Sequence, residues 1–152
     1  MTEQISRAAV EAFYKAYAEC DADTVGQFLA NDVQWTISGP IDVLPFCGTR
    51  HGKAAVLALI RREVPAVFRI QSFAIDAMLI DGNRSATLAR LTARGSDGRA
   101  ISYRVSHFAR FRDGKMVENL SLIDSFNAVE QVLGHSLTAP DLAANAGNLV
   151  AV

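Results

Sequence analysis

Apolar side chains recur at helical spacing in the first part of the chain. A stripe with the three- to four-residue repeat of one helix face predicts a helix over residues 3–19, with Thr2 as its candidate N-cap. Asp21 and Asp23 then predict the end of this helix and the cap of a second, shorter helix over residues 22–30. The stripe consists of Ile5, Ala9, Ala12, Phe13, Ala16 and Cys20.

The middle of the chain predicts one strand, a loop and a third helix. Residues 33–37 alternate in polarity and contain β-branched side chains, which favours a short strand. A Ser-Gly-Pro sequence at residues 38–40 ends that strand and opens a loop predicted to continue to residue 51. Helical spacing returns over residues 52–61, and Pro65 ends it.

From residue 68 onward the pattern changes to long strands joined by tight turns. Each turn contains an Asp-Gly pair, which is a strong short-range signal for a β-hairpin. The pairs are Asp81-Gly82, Asp97-Gly98 and Asp113-Gly114. Together they predict an antiparallel meander over residues 68–80, 85–94, 99–112 and 115–125, followed by a short helix over residues 126–134.

The predicted order of elements, αα-β-α-ββββ-α, indicates an α+β fold. Long antiparallel strands twist and curl, and helices cover the concave face. We therefore expect a cone-shaped curved antiparallel sheet wrapped by three to four helices around one small-molecule pocket. Residues 1–134 form this single domain, and residues 135–152 form a C-terminal tail. The tail docks across a dimer or over the cavity mouth, or else it is mobile.

Composition and charge exclude several functional classes. The chain of 152 residues suits one domain, and a net charge of -1 gives no basic surface for nucleic acid. No apolar run is long enough to span a membrane, and the N-terminus does not have the layout of a signal peptide, so we expect a cytoplasmic protein. Cys20 and Cys47 have no metal-site spacing, and we expect no metal and no other cofactor.

Several short motifs, taken in order, resemble the nuclear transport factor 2-like superfamily, particularly its SnoaL-like and ketosteroid-isomerase-like members. The resemblance extends over about residues 5–133 and implies the cone fold, a small-ligand pocket and a homodimer. It does not choose among isomerases, cyclases, hydrolases, dehydratases and binding proteins. The motifs occupy residues 12–17, 21–25, 29–35, 48–56, 110–118 and 124–126.

His107 is the main catalytic candidate. Alternation along residues 99–112 places it in an apolar row on the core or pocket side, where an imidazole needs a partner or a ligand. The resemblance implies that it occupies the position of the protonated aspartate of the ketosteroid isomerases. It would then donate to a carbonyl or move a proton near neutral pH. The alternative is a core histidine that bonds to the hydroxyl of Tyr14 or Tyr17.

Two carboxylates are weaker candidates. Asp42 lies in the loop at the expected pocket mouth, where it is either a catalytic group or a solvated side chain. Asp124 ends the last strand and is better explained as the N-cap of the final helix.

Other catalytic positions implied by the resemblance lack the required groups. The ketosteroid-isomerase base falls at Ile37 or Gly39, and its tyrosine falls at Phe13, one residue before Tyr14. The Arg-x-Asp pair and second aspartate of the epoxide hydrolases of this fold correspond to residues 104–106 and to Ser121, which keep only the arginine. Neither ketosteroid isomerisation nor that epoxide hydrolysis is therefore expected.

The remaining expectations concern ligand and partner. The ligand is a small apolar or aromatic molecule with a carbonyl group, acted on by an isomerase, cyclase or lyase; the alternative is a non-catalytic binding protein. The convex sheet face is expected to form a homodimer. The ligand-binding candidates are Tyr14, Tyr17, Trp35, Ile37, Phe46, Tyr103, Asn119 and Ser121. The aromatic members are either pocket walls or core, and Asn119 and Ser121 are surface residues if their face of the last strand points outward.

Overall fold

The helices cover one face of the sheet. The computed structural model describes residues 4–138 of the chain. An irregular π-helical turn, Leu59–Glu63, extends the third helix toward Pro65. The helices are α1 (Arg7–Ala18), α2 (Ala22–Phe28), α3 (Lys53–Ala58) and α4 (Ser125–Leu133).

Side-chain caps fix where three of these helices begin. Asp21 accepts a hydrogen bond from the backbone of α2 at 3.1 Å, and Asp124 accepts one from the backbone of α4 at 3.3 Å, as predicted. The predicted start of α1 is wrong. That helix begins at Arg7, because the Ser6 hydroxyl caps it; Thr2 lies outside the described residues.

A curved, unclosed mixed sheet forms the other layer, and it confirms the predicted α+β cone. Its strands are ordered β2-β1-β6-β5-β4-β3. The predicted meander is confirmed, and positive φ angles at Asp113 and Gly114 suit a tight hairpin turn. The strands are β1 (Leu29–Ser38), β2 (Gly48–His51), β3 (Phe68–Asp81), β4 (Arg84–Gly95), β5 (Ala100–Arg112) and β6 (Lys115–Ile123).

Two features of the sheet correct the expectations. Strand β1 runs parallel to β6, so the sheet is not wholly antiparallel. Residues 48–51, expected in a loop, form the edge strand β2 antiparallel to β1. Arg50 holds β2 in place, because its guanidinium donates to the Cys47 carbonyl at 2.7 Å and pairs with Glu63 on the π-helical turn.

The core lies between the helices and the concave sheet face. Side chains along β5 alternate between buried and more exposed over its whole length, which is the pattern of a sheet covered on one face only. Its buried set contains Tyr103, Val105, His107 and Ala109. No helix among residues 4–138 combines the length and the hydropathy needed to cross a membrane.

The start of the C-terminal tail packs back onto the domain. The Leu137 backbone donates to the Glu130 carboxylate of α4 at 2.7 Å, and the Leu137 side chain contacts the core. The predicted docking of the tail beyond residue 138 lies outside the described residues.

Candidate functional site

Strand register brings His107 into a row of inward-facing side chains. Thr87 of β4 lies opposite His107 of β5, which in turn lies opposite Ser121 of β6, and Ser121 lies beside Ile37 of β1. Because side chains of paired residues point to the same face, these four form one row across the concave face. His107 is only 3% exposed. The row places an imidazole between two hydroxyl groups in the interior.

A second polar row lies one step further along the strands. Ser85, Ala109, Asn119 and Trp35 are register partners on β4, β5, β6 and β1. Ser85, Asn119 and Trp35 are buried. The concave face of the sheet therefore carries polar side chains in two adjacent rows, although the core around them is apolar.

Hydrogen bonds link three of these polar side chains. Asn119 Nδ2 donates to Ser121 Oγ at 3.0 Å, and Ser121 Oγ lies 2.7 Å from His107 Nδ1. The structural partner of His107 is therefore Ser121 rather than the expected hydroxyl of Tyr14 or Tyr17. His107 Nε2 and Asn119 Oδ1 are buried and have no hydrogen-bond partner in the described structure.

Burial keeps the imidazole neutral. Desolvation lowers the pKa of His107 from 6.5 to about 3, and the Asn119 side chain opposes only part of this shift. At neutral pH the ring therefore carries one hydrogen and one free lone pair. Such a group donates or accepts a hydrogen bond. Its pKa is far from neutral, so it is poorly suited to moving a proton near pH 7, which was one of the two roles expected from the sequence.

Aromatic rings enclose the imidazole. The ring centroids of Tyr14 and Phe73 each lie 5.2 Å from that of His107, and the Tyr17 ring lies 6.5 Å away. Burial raises the pKa of the Tyr14 phenol, and the nearby Thr87 hydroxyl opposes part of that rise. Neither Tyr14 Oη nor Thr87 Oγ1 forms a well-aligned hydrogen bond in the described structure. The two hydroxyls lie near each other beside His107, and neither is fully satisfied.

A small cavity opens on this cluster. Its volume of about 20 Å³ has room for roughly one water molecule, so a larger ligand has to displace a wall side chain. Apolar and aromatic groups dominate its wall, and no charged side chain of the described residues lines it. The lining residues are Tyr17, Ile37, Phe46, Val64, Phe68, Ile70, Phe73, Leu91, Tyr103, Val105, His107, Ser121 and Ile123.

The structure brings most of the candidate residues together and leaves one apart. Three candidates that do not line the cavity, Tyr14, Trp35 and Asn119, are buried close to it. Asp42 is exposed and lines a different surface groove, which shares no residue with the cavity wall. The structure therefore does not place Asp42 with His107. The candidates that line the cavity are Tyr17, Ile37, Phe46, Tyr103, His107 and Ser121.

Sequence reasoning missed Thr87 and Phe73 beside the imidazole and Ser85 in the adjacent row. Ser85 and Thr87 alternate with Arg84 and Ala86, a pattern that could have identified them as the inward face of β4. Phe73 offered no such signal, because β3 has register shifts on both sides of it, between Ile70 and Ser72 and between Ile75 and Ala77. A shift in register breaks the two-residue alternation on which such a prediction depends.

The outer face of the sheet carries exposed apolar side chains. Phe108 is 48% exposed and Leu122 is 46% exposed. Leu88 and Leu120 are also exposed on neighbouring strands, and the register places them next to Phe108 and Leu122. These four residues form the outer apolar patch.

Comparison with known proteins identifies the fold and the family. No curated protein sequence matches the chain. The chain is similar to a proposed isomerase from Rhodopseudomonas palustris, with 29% identity, a TM-score of 0.73 and coverage of 83% of this chain and 93% of that one. A nuclear transport factor 2-like protein of unknown function from Burkholderia pseudomallei gives 27% identity, a TM-score of 0.75 and coverage of 82% and 95%.

A third structure supports the fold alone. It is a Catenulispora acidiphila protein with a ketosteroid isomerase-like fold, in complex with trimethylamine. Its identity to this chain is 12%, its TM-score is 0.71, and the match covers 86% of this chain and 95% of that one. The sequence pattern of the SnoaL-like domain matches residues 10–119, well over half of the chain. The chain belongs to the SnoaL-like domain family, with a nuclear transport factor 2-like fold.

Proposed function

We propose that this chain binds a small, largely apolar or aromatic molecule with a carbonyl oxygen, and that His107 donates a hydrogen bond to that oxygen. The observation that carries the proposal is the unpartnered Nε2 atom of a buried, neutral imidazole beside an apolar cavity. An unsatisfied buried polar atom destabilises the folded protein by about 1–3 kcal/mol. A ligand oxygen bonded to Nε2 would remove that penalty.

The direction of the hydrogen-bond chain supports a donor role for Nε2. Ser121 Oγ accepts an amide hydrogen from Asn119, so its own hydrogen is available to His107 Nδ1. An imidazole that accepts at Nδ1 carries its hydrogen on Nε2. Asn119 and Ser121 thus act as positioning residues, which fix the tautomer and leave an N–H to meet the ligand.

Tyr14 is a second candidate donor beside the cavity. It does not line the cavity wall, but its ring centroid lies 5.2 Å from that of His107. Its phenol is buried, its pKa is raised, and its hydroxyl forms no well-aligned hydrogen bond in the described structure. A phenol that stays protonated donates to an oxygen in the way the imidazole does. Two neutral donors near one carbonyl would stabilise negative charge that develops on its oxygen.

The cavity wall indicates the class of ligand. The described residues of the wall carry no charged side chain, so a charged ligand would be buried there without a counter-charge, which is strongly unfavourable. A neutral molecule avoids this penalty. Rings such as Phe46, Phe68 and Tyr103 suit a flat or aromatic body. Trp35 and Ile37 lie on β1, beside Asn119 and Ser121 on the same concave face of the sheet.

Both functional classes use this arrangement. In an isomerase, cyclase or lyase, the donors would polarise the carbonyl and stabilise an enolate-like oxygen. In a non-catalytic binding protein, the same donors would only hold the ligand. Among residues 4–138 no carboxylate lines the cavity, which favours the second class, because these residues supply no strong base to take a proton.

A matched pair of ligands tests the proposal. Acetophenone has a carbonyl oxygen, and α-methylstyrene has a CH₂ group in its place with nearly the same shape. We expect calorimetry to show that the wild type prefers the ketone by about tenfold, the equivalent of one hydrogen bond. His107→Phe should bind both molecules equally, while His51→Phe, a change at an exposed imidazole, should keep the preference.

Two results would contradict the proposal. One is an equal preference for the ketone in the wild type and in His107→Phe, which would place the donor elsewhere. The other is no binding of either molecule at millimolar concentration. Exchange of the acetophenone methyl hydrogens for deuterium in heavy water, faster with protein than with buffer, would distinguish the catalytic class from the binding class.

The outer apolar patch supports the homodimer expected from the sequence. No described helix covers Leu88, Phe108, Leu120 and Leu122, and Arg110 forms a polar border with Glu118 at 3.1 Å. An apolar centre with a polar rim is the usual anatomy of an interface. We assign this face to a second copy of the chain.

A further inference from the structure

The narrowness of the cavity raises the question of how a ligand reaches His107. A volume of about 20 Å³ and an imidazole 3% exposed leave no room for an organic molecule. A wall side chain must therefore move. The inference rests on the proposed function only in assuming that the chain binds a ligand in this cavity.

An open groove lies directly outside one part of the cavity wall. It has a volume of about 740 Å³ and runs between α1 and β3, lined on the helix side by Glu11, Tyr14 and Lys15. Ile70 and Phe73 line both this groove and the cavity. These two side chains separate the solvent from the polar cluster. The groove around Asp42, where the sequence placed the mouth, shares no lining residue with the cavity.

Of the two, Phe73 is the side chain better placed to move. Ile70 is buried, whereas Phe73 is half-buried and its ring lies against His107 on one side. The Phe73 ring also stacks on Tyr14 with centroids 5.3 Å apart, so it covers both unpartnered donors.

The backbone around Phe73 is held less firmly than that of the inner strands. Strand β3 is an edge of the sheet and pairs only with β4. Register shifts lie on both sides of Phe73, and such irregularities interrupt the ladder of hydrogen bonds. Local opening favours segments with few such bonds.

We propose that Phe73 is the gate of the cavity and that ligands enter through the groove between α1 and β3. Rotation of the ring into the groove would join the two spaces and uncover His107 and Tyr14 together. The size of the side chain at position 73 would then determine how fast a ligand enters and how large a ligand can pass.

The test measures solvent access to His107 and uses no ligand, so it is independent of the proposed function. Diethyl pyrocarbonate acylates the ring nitrogen that carries the lone pair of a neutral imidazole. A ring that water reaches exchanges its hydrogen between the two nitrogens, so an uncovered His107 reacts at Nε2 whichever tautomer the closed site holds. Peptide mass spectrometry reports each histidine separately. His51 and His135 are exposed and serve as references within the same chain. We expect Phe73→Ala to raise the acylation rate of His107 by about tenfold or more relative to that of His51, because the substitution removes the ring that separates His107 from the groove. We expect Phe73→Trp to lower that rate.

Phe46→Ala is the matched control. Phe46 lines the same cavity but not the groove, and it is more buried than Phe73, so its truncation destabilises the fold at least as much. If His107 reacted only through global unfolding, Phe46→Ala would accelerate the reaction as much as Phe73→Ala. Equal acceleration by the two variants would overturn the gate, and so would an unchanged rate in Phe73→Ala.

Discussion

At the scale of the residue, burial and strand register together set the state of His107. Ser121 Oγ lies 2.7 Å from Nδ1, and Thr87 lies opposite on β4. Phe73 and Tyr14 lie against the ring. Because these surroundings exclude solvent, the neutral imidazole is the stable form inside the fold.

The lowered pKa of His107 predicts a pH dependence of stability. The pKa falls from 6.5 in the unfolded chain to about 3 in the folded one, so between these values the unfolded chain binds more protons. The free energy of unfolding should therefore decrease as the pH falls from 6.5 towards 3, by about 1 kcal/mol per pH unit from this group. Urea denaturation at pH 7, 6, 5 and 4 measures the slope.

The same measurement on two variants isolates the histidine. Carboxylates such as Asp32, whose pKa is lowered by Arg112, add a similar dependence at lower pH, but they do so in every variant. His107→Phe should lose the part of the slope between pH 6.5 and 5, and His51→Phe should retain it. A slope unchanged in His107→Phe would show that His107 is not buried in its neutral form.

Alternation along β5 is enough to predict that His107 lies on the buried face, but it does not identify its neighbours. Contacts to Ser121 and Thr87 depend on the register between strands, which the local pattern does not contain. The sequence therefore indicated a tyrosine hydroxyl as partner, whereas the register supplies Ser121 at 2.7 Å. Phe73, which covers the site, was missed because register shifts around it break the alternation of β3.

At the scale of the element, the sequence predicted the turns and helix caps, which depend on neighbouring residues, and missed features that depend on pairing between strands. The Asp-Gly turns located the hairpins, and Asp21 and Asp124 located two helix starts. The parallel pairing of β1 with β6 joins segments far apart in the chain, and β2 pairs with β1 across the irregular loop of residues 39–47. Neither set of hydrogen bonds has a local signature. Ser6 was missed because the apolar stripe continues before the helix begins.

The cap at Asp124 gives a prediction for one element. Asp124→Ala removes the acceptor for the first turn of α4 and should lower the free energy of unfolding by about 1 kcal/mol. Asp124→Asn keeps an acceptor oxygen and should lose much less. Equilibrium urea denaturation at pH 7 measures both. An equal loss in the two variants would mean that the charge of Asp124, not the cap, stabilises α4.

At the scale of the whole molecule, the domain has two faces with different roles. The concave face buries the polar cluster under α1, α2 and α3, and the convex face exposes the outer apolar patch. The overall architecture followed from the order of elements, because a long curled meander with helices on one side leaves few other arrangements. The small size of the cavity did not follow, because it depends on how the side chains pack.

The homodimer is tested by changing the patch and a matched site away from it. Phe108→Asp places a charge at the centre of the patch and should shift the mass measured by light scattering from two chains to one. Ile41→Asp changes a residue that is 60% exposed in the loop before β2, and it should leave two chains together. A wild-type mass of one chain at 0.1 mM would remove the homodimer.

The donor role of His107 can be observed directly in its long-range ¹H–¹⁵N NMR spectrum, recorded at pH 7 with and without acetophenone. We expect a neutral ring with its hydrogen on Nε2, and an Nε2–H resonance that moves to higher frequency as the ketone accepts its hydrogen bond. An imidazolium, a hydrogen on Nδ1, or a resonance unmoved at saturating ketone would contradict it.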